Sequence, residues 1–169
     1  QEAHIVLFCS QKVTDERKGM RYLTEALARM DSSRLHLVVV GRDARSVASL
    51  CPGIAFTALG SVSPDEMPLV YAAADVFVTP SLEDNLPNTI AEAMSVGTPC
   101  VGFRTGGIPE MITHLTSGYV AEQCNAADLA SGIGYVLCHP LREAAARQAA
   151  RDYNEGRVAE RYISIYESL

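Results

Sequence analysis

Short apolar runs recur along the chain and predict its β-strands. The runs are apolar almost throughout, which is typical of strands buried on both faces of a parallel sheet. One of them, Leu35–Val40, is rich in β-branched residues and stops at Gly41. The predicted strands are Ile5–Cys9, Leu35–Val40, Ile54–Leu59, Asp75–Thr79, Cys100–Phe103 and Gly118–Ala121.

Segments with a helical repeat of apolar residues separate these runs. In Gly19–Asp31 the apolar residues Met20, Leu23, Leu27 and Met30 fall on one helical face. Ser63–Glu66 predicts a helix start, with acidic residues in the first turn, of a helix that runs to about Ala74. Further helices are predicted at Pro87–Val96, Pro109–Thr113, Ala126–Cys138, Leu141–Asp152 and Glu155–Leu169.

The alternation of such strands with helices predicts an α/β fold. We expect a Rossmann-like, doubly wound parallel sheet with helices on both faces. The 169 residues suit a single domain, 1–169, without an interior linker. Because the chain begins with Gln1 rather than Met and reaches a strand almost at once, we expect it to be a fragment of a longer protein.

Composition argues against several classes of binding partner. Hydrophobic residues make up 48% of the chain and charged residues 20%, as in ordinary globular domains. A net charge of −6 without a basic block argues against nucleic acid. No apolar run approaches the roughly 20 residues of a membrane span. The five cysteines are scattered without metal-ligand spacing, which predicts no metal site and favours the reducing cytoplasm.

Polar and charged loops follow four of the predicted strands. Ligands of a parallel α/β sheet bind beyond the carboxyl ends of its strands, where the strand order reverses. We therefore expect these loops to share one rim of the sheet. They are Ser10–Lys18, Gly41–Arg42, Ser81–Asn88 and Arg104–Glu110.

The segment Pro80–Pro99 is the most informative of these. Pro87 suits a first helical turn, and Gly97 followed by Pro99 ends the helix. The unpaired amides at the start of this helix form a ready anion site beyond a strand end. Because carboxylates do not bind phosphate, those in and after the preceding turn are predicted to bind sugar or ribose hydroxyls beside a phosphate held by backbone.

Charged residues beside these loops admit a functional and an ordinary interpretation. Arg17 and Lys18 could hold an anionic ligand over the helix that Gly19 opens, with Gly19 allowing close approach, or they could be solvated surface charges. Glu92 could be a solvated helix residue. Its separation of eight positions from Asp84, about two helical turns, would let the two carboxylates bracket a ligand.

A longer motif distinguishes these interpretations. The chain carries Pro80-Ser81, Asp84, Glu92-Ala93-Met94, Gly97, Pro99, Gly106-Gly107 and Glu110, preceded by Lys18-Gly19, Gly41 and Gly60. In these residues it resembles the C-terminal half of the family 4 glycosyltransferases of the GT-B fold. The resemblance covers nearly the whole chain, and its central motif is long and specific.

The resemblance implies roles for individual residues. Glu92 resembles the glutamate that binds the ribose of a nucleotide-sugar donor, Asp84 the acidic residue that meets the donor sugar, and Lys18 the phosphate-binding lysine. The loop around Gly41-Arg42, together with Gly60-Ser61-Val62, is expected to contact the nucleobase. The donor-binding set is Arg17, Lys18, Gly19, Gly41, Asn85, Leu86, Pro87, Asn88, Thr89 and Glu92, and the catalytic candidates are Asp84 and Glu83.

Two departures from the family pattern leave alternatives open. The first acidic residue of the family is usually glutamate, whereas the spacing here selects Asp84 and leaves Glu83 adjacent as the alternative. The family often places a phosphate-binding arginine after the first strand, where this chain has Ser10-Gln11-Lys12. Lys12 or Arg17 is the candidate substitute.

The implied function is retaining transfer of a hexose from a nucleotide sugar, UDP- or GDP-linked, without a cofactor. A glycan or lipid-linked acceptor would bind a missing N-terminal domain, through which alone membrane association is expected, so the chain alone should bind donor weakly and transfer nothing. The alternatives are a GT-B-like sugar-nucleotide epimerase half, a non-catalytic nucleotide-binding module and a plain scaffold. The isolated histidines, His4, His36, His114 and His139, argue against the epimerase.

Overall fold

The computed structural model describes residues 3–168, and a parallel sheet of six strands lies at its centre. The strands lie side by side in the order β3-β2-β1-β4-β5-β6. This is the doubly wound arrangement that the sequence predicts. The strands are β1 (His4–Lys12), β2 (Leu35–Arg42), β3 (Ala55–Gly60), β4 (Val76–Thr79), β5 (Cys100–Phe103) and β6 (Gly118–Ala121).

Seven α-helices of the described residues accompany the sheet. They are α1 (Met20–Leu27), α2 (Met67–Ala73), α3 (Asn88–Ser95), α4 (Ile108–Met111), α5 (Ala126–Cys138), α6 (Arg142–Asp152) and α7 (Glu155–Glu167). Leu169, where the sequence predicts that the last helix ends, lies outside the described residues. None of the helices within residues 3–168 is both long and apolar enough to cross a membrane.

The inner strands are mainly apolar because both faces of the sheet are buried there, as in β4 and β5, whereas the edge strand β3 is only partly buried. Val6 and Phe8 of β1 belong to the core on the face that α1 and α5 cover. Leu7, between them, points to the opposite core, which includes Ile90 of α3 and Ala145 of α6. Two separate cores on one sheet are the physical reason that the apolar runs show no alternation.

Two helices, α1 and α2, are several residues shorter than the sequence predicts. Helix α1 ends at Leu27 rather than Asp31. The Asp31 carboxylate accepts hydrogen bonds from the Ser33 amide and hydroxyl, and this local turn competes with helix continuation. Helix α2 begins at Met67, because Ser63–Glu66 closes a separate turn in which the Ser63 hydroxyl donates to Glu66 at 2.6 Å.

The connections between strands show further differences. A 3₁₀ helix at Ala44–Leu50, which the sequence does not predict, lies in the crossover from β2 to β3. Helix α4 begins at Ile108 and ends at Met111, slightly earlier than predicted. Pro87 precedes α3 as its N-cap residue, in an extended conformation, rather than forming its first turn.

The strand order determines where a ligand site can form. From β1 the chain proceeds outward to β2 and β3, and it then returns to place β4 on the other side of β1. The loops after β1 and β4 therefore diverge to opposite faces of the sheet, which opens a crevice at its carboxyl edge. The predicted polar segments lie at this edge, but Ser10–Lys12 and Gly41–Arg42 continue the strands β1 and β2 rather than forming loops.

Candidate functional site

Backbone hydrogen bonds join the loops at the carboxyl edge of the sheet. The Leu82 amide in the loop after β4 donates to the Arg17 carbonyl in the loop after β1 at 2.7 Å. The Gly107 amide after β5 donates to the Asn85 carbonyl at 2.6 Å. The loops after β1, β4 and β5 therefore form one continuous rim, as the sequence predicts.

Three glycines permit this close packing of backbone on backbone. A Cβ atom added to Gly19, whose φ is +71°, would lie 1.9 Å from the Pro80 carbonyl oxygen. A Cβ on Gly106 would lie 1.7 Å from the Asp84 carbonyl oxygen. At Gly41 it would lie 1.7 Å from the carbonyl oxygen of Ser10. The close approach that Gly19 allows is thus the approach of the Pro80 loop.

Lys18 and Asp84 form an ion pair at the rim. The Lys18 Nζ lies 2.8 Å from Asp84 Oδ2, and the two side chains are 34% and 17% exposed. Lys18 ends the 3₁₀ turn after β1, while Asp84 lies in the loop that leads to α3. The fold therefore brings together the residue that the resemblance assigns to phosphate and the one that it assigns to the sugar.

Arg17 and Glu83 lie apart from this pair. The Arg17 guanidinium donates to both carboxylate oxygens of Asp15, at 3.1 and 2.7 Å, and its side chain is 67% exposed. These bonds lower the pKa of Asp15 to about 2 and raise the pKa of Arg17. Glu83 is exposed. Of these charged residues, Lys18 and Asp84 are the two that contact each other across the loops.

Helix α3 begins at Asn88, shortly after Asp84 in the sequence. The Ile90 amide donates to the Pro87 carbonyl at 3.0 Å, so intrahelical bonding begins there and the amides of Asn88 and Thr89 precede it. Pro87 itself is buried, whereas Asn85, Leu86 and Asn88 are exposed. The helix thus begins at the rim with its positive end outward.

A cavity of about 440 Å³ opens beside the first turns of α3. It contains three predicted donor-binding residues, Gly41, Thr89 and Glu92, and the predicted nucleobase contacts Arg42, Ser61 and Val62. The other lining residues were not candidate site residues in the sequence, although Ser10 and Gln11 belong to the predicted rim segment Ser10–Lys18. They are Cys9, Ser10, Gln11, Val40, Met67 and Tyr71.

Tyr71 is the most informative residue that the sequence analysis missed. Its hydroxyl donates to Glu92 Oε2 at 2.9 Å. Burial, with smaller contributions from Cys9 and Glu92, raises the pKa of Tyr71 far above its usual range, so the hydroxyl stays protonated. Burial likewise raises the pKa of the Cys9 thiol to about 12. A tyrosine within an otherwise apolar helix was the available signal.

Residues 3–168 contain no group of three or more His, Cys, Asp or Glu side chains that could hold a metal ion. The histidines lie elsewhere. His36 pairs with Thr57 at 2.8 Å, and His114 accepts from the Val120 amide at 3.1 Å. No histidine lines the cavity beside α3.

Comparison with known proteins finds a matching family and similar enzymes. The model of the family "Glycosyl transferases group 1" matches residues 3–139. The 2-deoxystreptamine glucosyltransferase of Streptomyces kanamyceticus is 29% identical over 144 residues, which are 80% of this chain and 37% of that enzyme.

Solved structures share the fold. Sucrose-phosphate synthase of Thermosynechococcus elongatus superposes with a TM-score of 0.85 at 23% identity, over 98% of this chain and 45% of that one. HepE of Anabaena, solved in complex with UDP and glucose, gives 0.80 at 20% identity, over 99% of this chain and 49% of that one. The chain thus spans less than half the length of these proteins.

Proposed function

The chain belongs to the group 1 glycosyl transferase family, and we propose on that premise that it is the donor-binding part of a glycosyltransferase. The observation that carries the proposal is the position of Glu92 on the wall of a cavity at the switch point of the sheet. The ion pair of Lys18 and Asp84 lies just before the same helix.

Each part of a nucleotide sugar has a matching group in this arrangement. Lys18 and the first backbone amides of α3 would bind the diphosphate, because a cation and the N–H groups of a helix N-terminus both attract anions. Glu92 would accept hydrogen bonds from the ribose hydroxyls. The cavity wall at Gly41-Arg42 and Ser61-Val62 would contact a nucleobase, in a UDP- or GDP-linked donor.

The chemistry proposed is retaining transfer of a hexosyl group. The bond between the anomeric carbon of the sugar and the diphosphate breaks, and negative charge develops on the departing phosphate oxygen. Preorganised positive charge at Lys18 and α3 stabilises that leaving group. Asp84 would orient the sugar, and its burial and its contact with Lys18 favour it over the exposed Glu83 for this role.

The remaining requirements lie outside these residues. We propose that a glycan or lipid-linked acceptor binds a separate N-terminal domain, so that this chain binds donor but transfers no sugar. No cofactor or metal is required in this scheme. The cysteines Cys9, Cys51, Cys100, Cys124 and Cys138 are all free thiols, which suits a cytoplasmic enzyme.

Replacement of Glu92 by alanine tests the proposed ribose site. Titration calorimetry or ligand-observed NMR with UDP, GDP and ADP should show selective binding of one diphosphate. Glu92→Ala should weaken that binding at least about tenfold, because hydrogen bonds to a charged group are lost. Glu143→Ala removes an exposed glutamate of α6 and serves as the matched control, with no change expected. Equal binding by both variants and the unaltered chain would contradict the ribose role of Glu92.

A further inference from the structure

The hydroxyl of the buried residue Tyr71 donates a hydrogen bond to the carboxylate of Glu92. Tyr71 is 1% exposed, in the last turn of α2, yet its hydroxyl lies 2.9 Å from an oxygen of the exposed Glu92 on α3. Both residues line the cavity of about 440 Å³. A buried donor thus meets an acceptor at the wall of the proposed ribose site.

The position of Tyr71 is fixed from several directions. The Thr98 hydroxyl donates to the Tyr71 carbonyl at 2.6 Å. The Tyr71 ring packs edge-on against Phe77, with ring centroids 5.6 Å apart and an interplanar angle of 84°. The Arg142 guanidinium donates to two carbonyls at the end of α2, at 2.8 and 2.7 Å. The hydroxyl therefore belongs to a rigid part of the molecule.

Glu92 has no comparable constraint of its own. It is an exposed side chain on the polar face of α3, and a free glutamate of this kind loses rotamer entropy when it is fixed by a ligand. The bond from Tyr71 to Oε2 fixes the carboxylate in advance and occupies only one of its two oxygens. Groups fixed before binding contribute more affinity, because less order is imposed on binding.

We propose that Tyr71 is a positioning residue that holds the Glu92 carboxylate in the orientation that receives the ribose hydroxyls of the donor. The inference rests on the proposed function, in which Glu92 binds that ribose. Tyr71 does not contact the ligand in this scheme. It acts through its single hydrogen bond to Glu92, and its hydroxyl remains protonated and able to donate at neutral pH.

Tyr71→Phe removes the hydroxyl and keeps the buried ring. The probes are UDP, GDP and ADP, of which the tightest-binding one is carried forward together with its 2′,3′-dideoxy analogue. We expect the variant to bind the ribonucleotide about 3- to 10-fold more weakly, because binding must then also order the Glu92 side chain. Binding of the dideoxy analogue should be unchanged, because that ligand has no hydroxyl for Glu92 to receive.

Two comparisons separate positioning from stability. Tyr119→Phe deletes a similar bond, 2.8 Å to Asp128 on the far side of the sheet, and should leave both ligands unaffected. In the Glu92→Ala background, Tyr71→Phe should have a much smaller effect than in the unaltered chain, since the two residues act as one unit.

The outcomes are distinct. Equal weakening of ribonucleotide and dideoxy analogue by Tyr71→Phe, or no weakening of either, would overturn the positioning role. If Glu92→Ala also leaves the preference for ribose intact, or no diphosphate binds at all, the proposed ribose site fails and the role of Tyr71 fails with it. A loss confined to the ribonucleotide, and dependent on Glu92, supports both.

Discussion

Lys18→Met is expected to weaken the binding of a nucleoside diphosphate about 10- to 100-fold, since charge-assisted hydrogen bonds contribute about 1.5 to 3 kcal/mol. The variant also leaves the Asp84 carboxylate, only 17% exposed, without its cation near the incoming phosphates. Repulsion between these like charges adds to the loss. Titration calorimetry with UDP, GDP and ADP measures the change.

The adjacent cation supplies the matched control for this result. Arg17 is 67% exposed and already bonded to Asp15, so Arg17→Met should alter affinity by less than about threefold. The parent nucleoside, which has no phosphate, should bind equally to Lys18→Met and the unaltered chain. A larger loss at Arg17 than at Lys18 would show that the phosphates lie on the outer side of the rim, contrary to the proposed site.

Gly19→Ala is expected to lower the free energy of unfolding by about 3 kcal/mol or more, which places it among the severe substitutions. The new Cβ would lie 1.9 Å from the Pro80 carbonyl oxygen, so the loops after β1 and β4 must separate. The φ of +71° adds strain for any residue with a Cβ. Urea denaturation followed by circular dichroism measures the difference.

Two other glycines separate these contributions. Gly60 has a φ of +68° but no atom within 4 Å of an added Cβ, so Gly60→Ala should cost only about 1 to 2 kcal/mol. Gly134 lies inside α5 with open space around it, and Gly134→Ala should be neutral or stabilising by up to about 1 kcal/mol. Similar losses at Gly19 and Gly60 would contradict the packing of the Pro80 loop on Gly19.

Much of the fold was predictable because buried strands consist mainly of apolar residues. The apolar runs of all six strands are visible because the inner strands are covered on both faces, although the edge strand β3 is only partly buried. Helix boundaries that depend on side-chain hydrogen bonds were not predictable. The early end of α1 depends on the Asp31 carboxylate capping a turn, and the apolar residues of the 3₁₀ helix at Ala44–Leu50 recur over only about two turns, too few to predict it.

The site was predictable as a set of positions and not as a set of contacts. The spacing from Asp84 to Glu92 identified residues around one helix start, but periodicity carries no information on which cation faces which carboxylate. The ion pair at Lys18 joins residues 66 positions apart, and the Tyr71 bond to Glu92 spans 21. Such contacts depend on how the crossovers place α2, α3 and the β1 loop together.

The most direct test of a nucleoside diphosphate site at the switch point is a chemical-shift map. Proton–nitrogen correlation spectra of the isotope-labelled chain would be recorded during titration with UDP, GDP and ADP. The largest shifts are predicted for the backbone amides of Lys18, Gly19, Gly41, Asn88, Thr89 and Glu92. Shifts confined to other surfaces, or no shifts with any of the three diphosphates, would contradict the assignment of this rim as the donor site.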